Sequence, residues 1–263
     1  MNMDFSRVVR LLGVVLGFSA TLCAEEPASP AASVTFTAFA WDVFDTEKDL
    51  AVNYQQKGKT QTLEIAWRDR SVAAACDGPG TLVFTQTVVR DGKSTEMPVA
   101  TAEIPVGVKR VLLVFGRNTQ REPGAMPYRV MVIDDSYAVF PGQSVRFINH
   151  SSVEMAGSLG EQVFTVAAGR EQVVSATLSV GGQLLSLRLA RRDAAGGWRK
   201  LRSTMLPMSA GQRVLVFLID NPATPGRPEM VMVRDRVELE PPLPAQGGTL
   251  SKAVGLRVNP AGR

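Results

Sequence analysis

Apolar positions along this chain fall in short runs rich in β-branched and aromatic residues, separated by clusters of turn formers. The runs predict strands over Val34–Trp41, Thr62–Trp67, Thr81–Val89, Arg110–Phe115, Tyr128–Ile133, Ser144–Ile148, Gln162–Val166, Gln172–Leu178, Gln183–Ala190, Arg213–Ile219 and Met230–Val233. Between them lie Asp77-Gly78-Pro79-Gly80, Arg90-Asp91-Gly92, Phe140-Pro141-Gly142-Gln143, Ala168-Gly169-Arg170 and Ala195-Gly196-Gly197, all turn chemistry. No segment carries an apolar stripe at helical spacing with caps at its ends. Val111–Phe115 and Val214–Ile219 are unbroken apolar runs, the pattern of strands covered on both faces. Leu185, Leu187 and Leu189 alternate instead with Ser186, Arg188 and Ala190, the pattern of a strand with one wet face.

The same pattern occurs twice. Gly80-Thr81-Leu82-Val83-Phe84 through Arg90-Asp91 matches Gly182-Gln183-Leu184-Leu185-Ser186 through Arg192-Asp193. Lys109–Phe115 then matches Gln212–Leu218, Asn118 answers Asn221, and Pro127–Asp134 matches Pro228–Asp235. Three ordered matches at nearly one interval predict two modules of about 100 residues each, a common domain size. In the first match Leu82 and Phe84 fall on the opposite parity from Leu185 and Leu187, so either the alignment there is one residue out or a bulge shifts the register. The expected fold is all-β: two tandem antiparallel β-sandwiches, Ig-like or cupredoxin-like, over 34–134 and 135–239.

The two ends read differently from the modules. Residues 1–24 have the form of an export signal, with Arg7 and Arg10 ahead of the short apolar core Leu11–Leu22. A Pro/Ala/Ser linker occupies 25–33, and a Pro/Gly-rich tail occupies 240–263. No other stretch approaches the roughly 20 apolar residues of a membrane span, so no transmembrane segment is expected in the mature chain, which would be periplasmic or secreted. Removal of the leader takes Cys23 with it and leaves Cys76 alone, so no internal disulfide is expected. The small apolar surroundings Ala73-Ala74-Ala75 favour a buried thiol over one paired between chains. A net charge of +4 over 263 residues is too small an excess to suggest a nucleic-acid partner.

The run Val139-Phe140-Pro141-Gly142-Gln143-Ser144-Val145-Arg146-Phe147-Ile148-Asn149-His150 resembles the opening strands of cupredoxins, where a Pro/Gly turn leads into a strand ending in Asn near a copper-ligating His. The resemblance covers about a dozen residues and implies a cupredoxin-like sandwich. Blue copper needs two His and a Cys thiolate, whereas His150 is the sole histidine and the second module has no cysteine. No cofactor or metal is therefore expected. A single His and no Gly-x-Ser-x-Gly elbow also leave no nucleophilic triad. Asn149-His150-Ser151 is formally a glycosylation acceptor. Asp42, Asp45, Glu47 and Asp49 offer oxygens to calcium without the spacing of an EF-hand, and read as an exposed acidic loop. Asp134-Asp135 reads as a turn.

One segment stands out for charge. Arg188, Arg191, Arg192, Arg199, Lys200 and Arg202 gather on a single hairpin with Trp198. A basic ribbon with an aromatic can meet an anionic glycan, a lipid surface or an acidic protein; it can also be a solvated edge whose charges discourage sheet-to-sheet aggregation. Trp41 and Trp67 read as core or sugar-stacking residues. The functional expectation is an exported, non-enzymatic protein acting in surface recognition or as a structural component of an extracytoplasmic assembly. The alternative is an envelope-polymer hydrolase using carboxylates that are scattered in sequence.

Overall fold

Sixteen strands and no helix form among the described residues of the computed structural model, namely 33–41, 50–118, 124–178, 182–220, 224 and 227–237. The leader, nearly all of the linker, the acidic residues at 42–49 and the tail lie outside that set. The first eight strands are β1 (Val34–Ala40), β2 (Leu50–Gln56), β3 (Lys59–Ile65), β4 (Ala74–Cys76), β5 (Gly80–Arg90), β6 (Lys93–Ile104), β7 (Arg110–Arg117) and β8 (Tyr128–Asp134). The second eight are β9 (Ser144–His150), β10 (Met155–Leu159), β11 (Gln162–Val166), β12 (Glu171–Ser175), β13 (Gln183–Arg192), β14 (Trp198–Met208), β15 (Gln212–Ile219) and β16 (Glu229–Arg236).

The halves share one topology. Sheets ordered β3-β2-β5-β6 and β4-β1-β7-β8 make the first sandwich; β11-β10-β13-β14 and β12-β9-β15-β16 make the second in the same order. Pairing is antiparallel except for β1–β7 and β9–β15, so each inner sheet is mixed rather than purely antiparallel. The inward residues of β5 and β13 pair Leu82 with Leu185 and Phe84 with Leu187, one residue on from the Gly80–Gly182 alignment. The alignment was one residue out because Gly182 precedes its strand, whereas Gly80 opens one. Bulges exist too: β6 carries the extra residue Val99 opposite Phe84/Thr85, and β14 carries Leu201 opposite Leu189/Ala190.

Three apolar layers join the four sheets. Phe36, Phe84, Leu113 and Phe115 fill the first sandwich, and Phe147, Leu187, Val216 and Leu218 fill the second. A third layer, with Phe39, Leu112, Val114, Ile148, Leu215 and Phe217, packs the two inner sheets against each other. Apolar residues alternating in direction along β7 and β15 thus enter two cores, which is why both strands read as continuous apolar runs. The outer sheets, β3-β2-β5-β6 and β11-β10-β13-β14, each keep one face in water. Five stretches absent from the predicted strands are β2, β4, β6, β10 and β14, the last foreseen only in part as an arm of the basic hairpin. In β6 the residues before Pro98 are polar apart from Met97, and β10, Met-Ala-Gly-Ser-Leu, has only small residues between its two buried ends.

Candidate functional site

The outer face of β10, β13 and β14 carries the basic residues. Ladder pairing sets Ser158 beside Arg188, Arg188 beside Ser203, Ala190 beside Lys200, and Arg192 beside Trp198. The small residues Ala156, Gly157, Ser158 and Ala190 leave the face low in its middle, and Arg188, Lys200 and Arg202 rise around it, enclosing a groove of about 600 Å³. Gly157 is required from the core side of β10: a Cβ there would lie 2.6 Å from Phe164 Cζ, 2.8 Å from Leu189 Cδ2 and 2.8 Å from the Arg188 carbonyl oxygen.

Among the seven residues singled out from the sequence, the structure separates two groups. At the hairpin tip the charges are partly matched: Arg192 pairs with Glu154 at 3.1 Å and lies over the Trp198 ring, while Arg199 pairs with Asp193 at 2.8 Å. The hydrogen bond from Arg199, helped by the Gly197 amide, holds the Asp193 carboxyl below the usual range. Arg188, Lys200 and Arg202 have no ion-pair partner among the described residues, and these three line the groove. Arg191 is half-buried beside β10 and does not line it.

Equivalent positions in the first half have the opposite chemistry. The paired residues Asn53 and Thr85 stand where Ser158 and Arg188 stand, and the paired Thr87 and Glu96 stand where Ala190 and Lys200 stand. Glu96 accepts hydrogen bonds from Thr85 Oγ1 at 2.6 Å, from Thr87 Oγ1 and from Asn53 Nδ2 at 3.4 Å, and the threonine bonds hold its carboxyl below the ordinary range. Glu64 and Glu103 are exposed on the same outer face, with Thr81 Oγ1 donating to Glu103 at 2.8 Å. The outward positions of this sheet hold no Lys or Arg, and those of its counterpart hold no Asp or Glu.

The seam between the inner sheets holds polar residues that the sequence did not mark as a cluster. Arg213 is fully buried; it donates to Asp235 Oδ2 at 2.6 Å, to Asp135 Oδ2 at 2.8 Å and to the Phe140 carbonyl at 2.8 Å. Arg70 grips Asp135 with both terminal nitrogens at 2.8 and 3.0 Å, and Arg110 Nε reaches the same carboxylate at 3.0 Å. Asp135 is therefore the buried hub of an ionic cluster rather than a turn residue. Burial pushes its carboxyl up, but bonds and charge from Arg70, Arg213 and Arg110 outweigh it and hold the group below its ordinary value.

At the other end of the seam, His150 Nε2 lies 3.2 Å from Met131 Sδ, and its ring meets Trp41 edge-on at 5.6 Å. Burial lowers its pKa, so the neutral ring is favoured. Asn149 is buried and donates to the carbonyls of Val153 and Val166, which takes the formal glycosylation acceptor out of reach. Trp41 packs at the seam, whereas Trp67 and Trp198 are exposed beneath Arg68 and Arg192. Cys76 is buried and free, its thiol pushed up by burial. Among the described residues no three His, Cys, Asp or Glu side chains gather as a metal site, and no helix is long and apolar enough to cross a membrane.

No known protein family matches the chain, and no curated protein matches it. Among solved structures, a leucine-rich repeat protein from Bacteroides thetaiotaomicron VPI-5482 aligns with 72% of this chain and 26% of its own, at 10% identity and a TM-score of 0.20. The chain thus spans about a quarter of that protein's length, and a likeness of this degree carries no argument about fold or function.

Proposed function

We propose that this is an exported, non-enzymatic protein that works by surface recognition, holding an anionic partner on the outer face of β10, β13 and β14. The observation behind this reading is the convergence of Arg188, Lys200 and Arg202, without acidic partners among the described residues, on a groove floored by small residues. Exposed cations attract an anionic surface over about 8–10 Å at ordinary ionic strength, and a floor without bulky side chains lets that surface approach them. Ser158 and Ser203 add hydroxyl donors beside the charges. The grooves lined by Ala156, Thr35, Leu159, Trp41 and Ala51 with their neighbours each hold at most one carboxylate, whereas a hydrolase of this kind needs a pair.

The test is retention on phosphatidylglycerol vesicles and on a sulfated glycan as salt is raised. Replacing Arg188, Lys200 and Arg202 together by Gln should release the protein at distinctly lower salt. Replacing Arg192 and Arg199 by Gln should have the smaller effect, because Glu154 and Asp193 already match those charges. Equal effects from the two sets would refute the groove as the recognition surface.

A further inference from the structure

The two outer faces differ in sign, and they lie at opposite ends of the four-sheet stack. One presents Glu64, Glu96 and Glu103 with no Lys or Arg at its outward positions; the other presents Arg188, Lys200 and Arg202 with no Asp or Glu at its own. At about 10 Å per sheet-to-sheet step, the faces are separated by roughly 30 Å of protein, beyond direct contact and largely beyond mutual screening distance. Neither can satisfy the other within one chain. Both are surfaces of four-stranded antiparallel sheets with the same strand order, so their size and twist correspond.

We propose that the partner of the basic face is a second copy of this chain: the acidic outer face of β3-β2-β5-β6 docks on the basic outer face of β11-β10-β13-β14, and copies add head to tail. This inference rests on the recognition reading above and names its partner. Apolar side chains support a protein partner over a purely ionic one. Val163, Leu184 and Met205 are 81%, 60% and 53% exposed on or beside the basic face, and Val83 is 41% exposed on the acidic one. Four strands about 4.8 Å apart and some eight residues long span roughly 500 Å². Two such faces bury about 1,000 Å², at the lower bound of a specific interface. Association should therefore be reversible and strongly dependent on salt. Because the contact joins two different surfaces, it is heterologous and generates a chain or a ring rather than a closed two-fold dimer.

Sedimentation velocity on the full mature chain tests this. At about 0.01 M salt, where the screening length is roughly 30 Å, the wild type should form species larger than the monomer, and about 1 M salt should dissolve them. Glu64→Lys/Glu96→Lys/Glu103→Lys makes both faces basic, and Arg188→Glu/Lys200→Glu/Arg202→Glu makes both acidic. Each variant alone should associate at least about tenfold more weakly than wild type. Mixed together they should assemble again, alternating along the chain, while thermal melts confirm that both are folded. A wild type that stays monomeric at low salt, or variants that assemble alone as well as wild type does, would overturn self-docking. If that monomer is still held by phosphatidylglycerol or sulfated glycan through Arg188, Lys200 and Arg202, self-docking fails and the recognition reading stands; loss of that retention as well overturns both.

Discussion

The inner sheets of the two halves are near copies, while the outer sheets share only their backbone plan. Leu112, Val114 and Phe39 on one side of the seam have Leu215, Phe217 and Ile148 at the equivalent ladder positions on the other. At the seam's end the fit is traded between halves: Trp41 stands beside Gly116, and the smaller His150 beside Ile219. On the outer sheets the equivalent pairs are Thr87/Glu96 and Ala190/Lys200, which have no packing role in common. A face packed at interior density constrains volume at every position, whereas a face in water constrains little beyond solubility. The divergence of the outer faces in charge is therefore where a difference in function between the halves is to be sought.

The largest expected effect falls on the seam. Arg110 and Arg213 occupy equivalent places, but Arg213 has 0% side-chain exposure and Arg110 has 25%. Arg213→Ala removes the one fully buried cation that donates to both Asp135 and Asp235, leaving them to Arg70 and Arg110, and should cost about 3–5 kcal/mol. Arg110→Ala leaves Arg70 and Arg213 on Asp135 and should cost clearly less. Thermal or urea unfolding of the pair measures the gap; equal losses would mean that burial does not set the strength of the cluster.

Next in size are the glycines that let large neighbours in. An alanine Cβ at Gly116 would lie 2.4 Å from Trp41 Nε1, and one at Gly157 would meet both a side chain and a backbone carbonyl. Each substitution should cost on the order of 1–3 kcal/mol. Gly157→Ala should be the worse of the two, because a carbonyl in a sheet ladder cannot turn aside as an indole can. Denaturant midpoints check the order.

Acid should act on the same cluster. Asp135 is held below its unfolded value, so in the window beneath about 3.9 the unfolded chain binds more protons than the folded one. The stability contributed by Asp135 is complete at neutral pH and is lost as pH falls through the folded pKa. Asp135→Asn should be less stable than wild type at pH 7, with the difference narrowing in acid. A difference that stays constant with pH would contradict the assignment.

How much of this was legible in sequence follows from which contacts are local. The unbroken apolar runs of β7 and β15 announced strands covered on both faces, and alternation along β13 announced its wet face. The hairpin that carries Arg188 through Arg202 was visible because its two arms are adjacent in sequence. The division of its cations was not, since Glu154 arrives from β10's approach and Asp193 from the turn. Arg70, Arg110, Arg213 and Asp235 gave no signal of a cluster, and Asp135 signalled only a turn, because Arg70 and Arg213 reach Asp135 across 65 and 78 residues of chain. The acidic face was hidden for a related reason. Glu64, Glu96 and Glu103 belong to two strands, one of which the apolar pattern did not reveal.

The smallest effect on stability, and the largest on binding, belongs to the outer faces. Neutralising either one should change stability by only about 0.5 kcal/mol per exposed position. The central claim is that the halves have one scaffold and two opposed recognition faces, and salt-dependent retention on a sulfated glycan compares those faces directly. Arg188→Gln/Lys200→Gln/Arg202→Gln should elute at lower salt than wild type, while Glu64→Gln/Glu96→Gln/Glu103→Gln should elute at the same or higher salt. Equal elution of the two variants and wild type would contradict it.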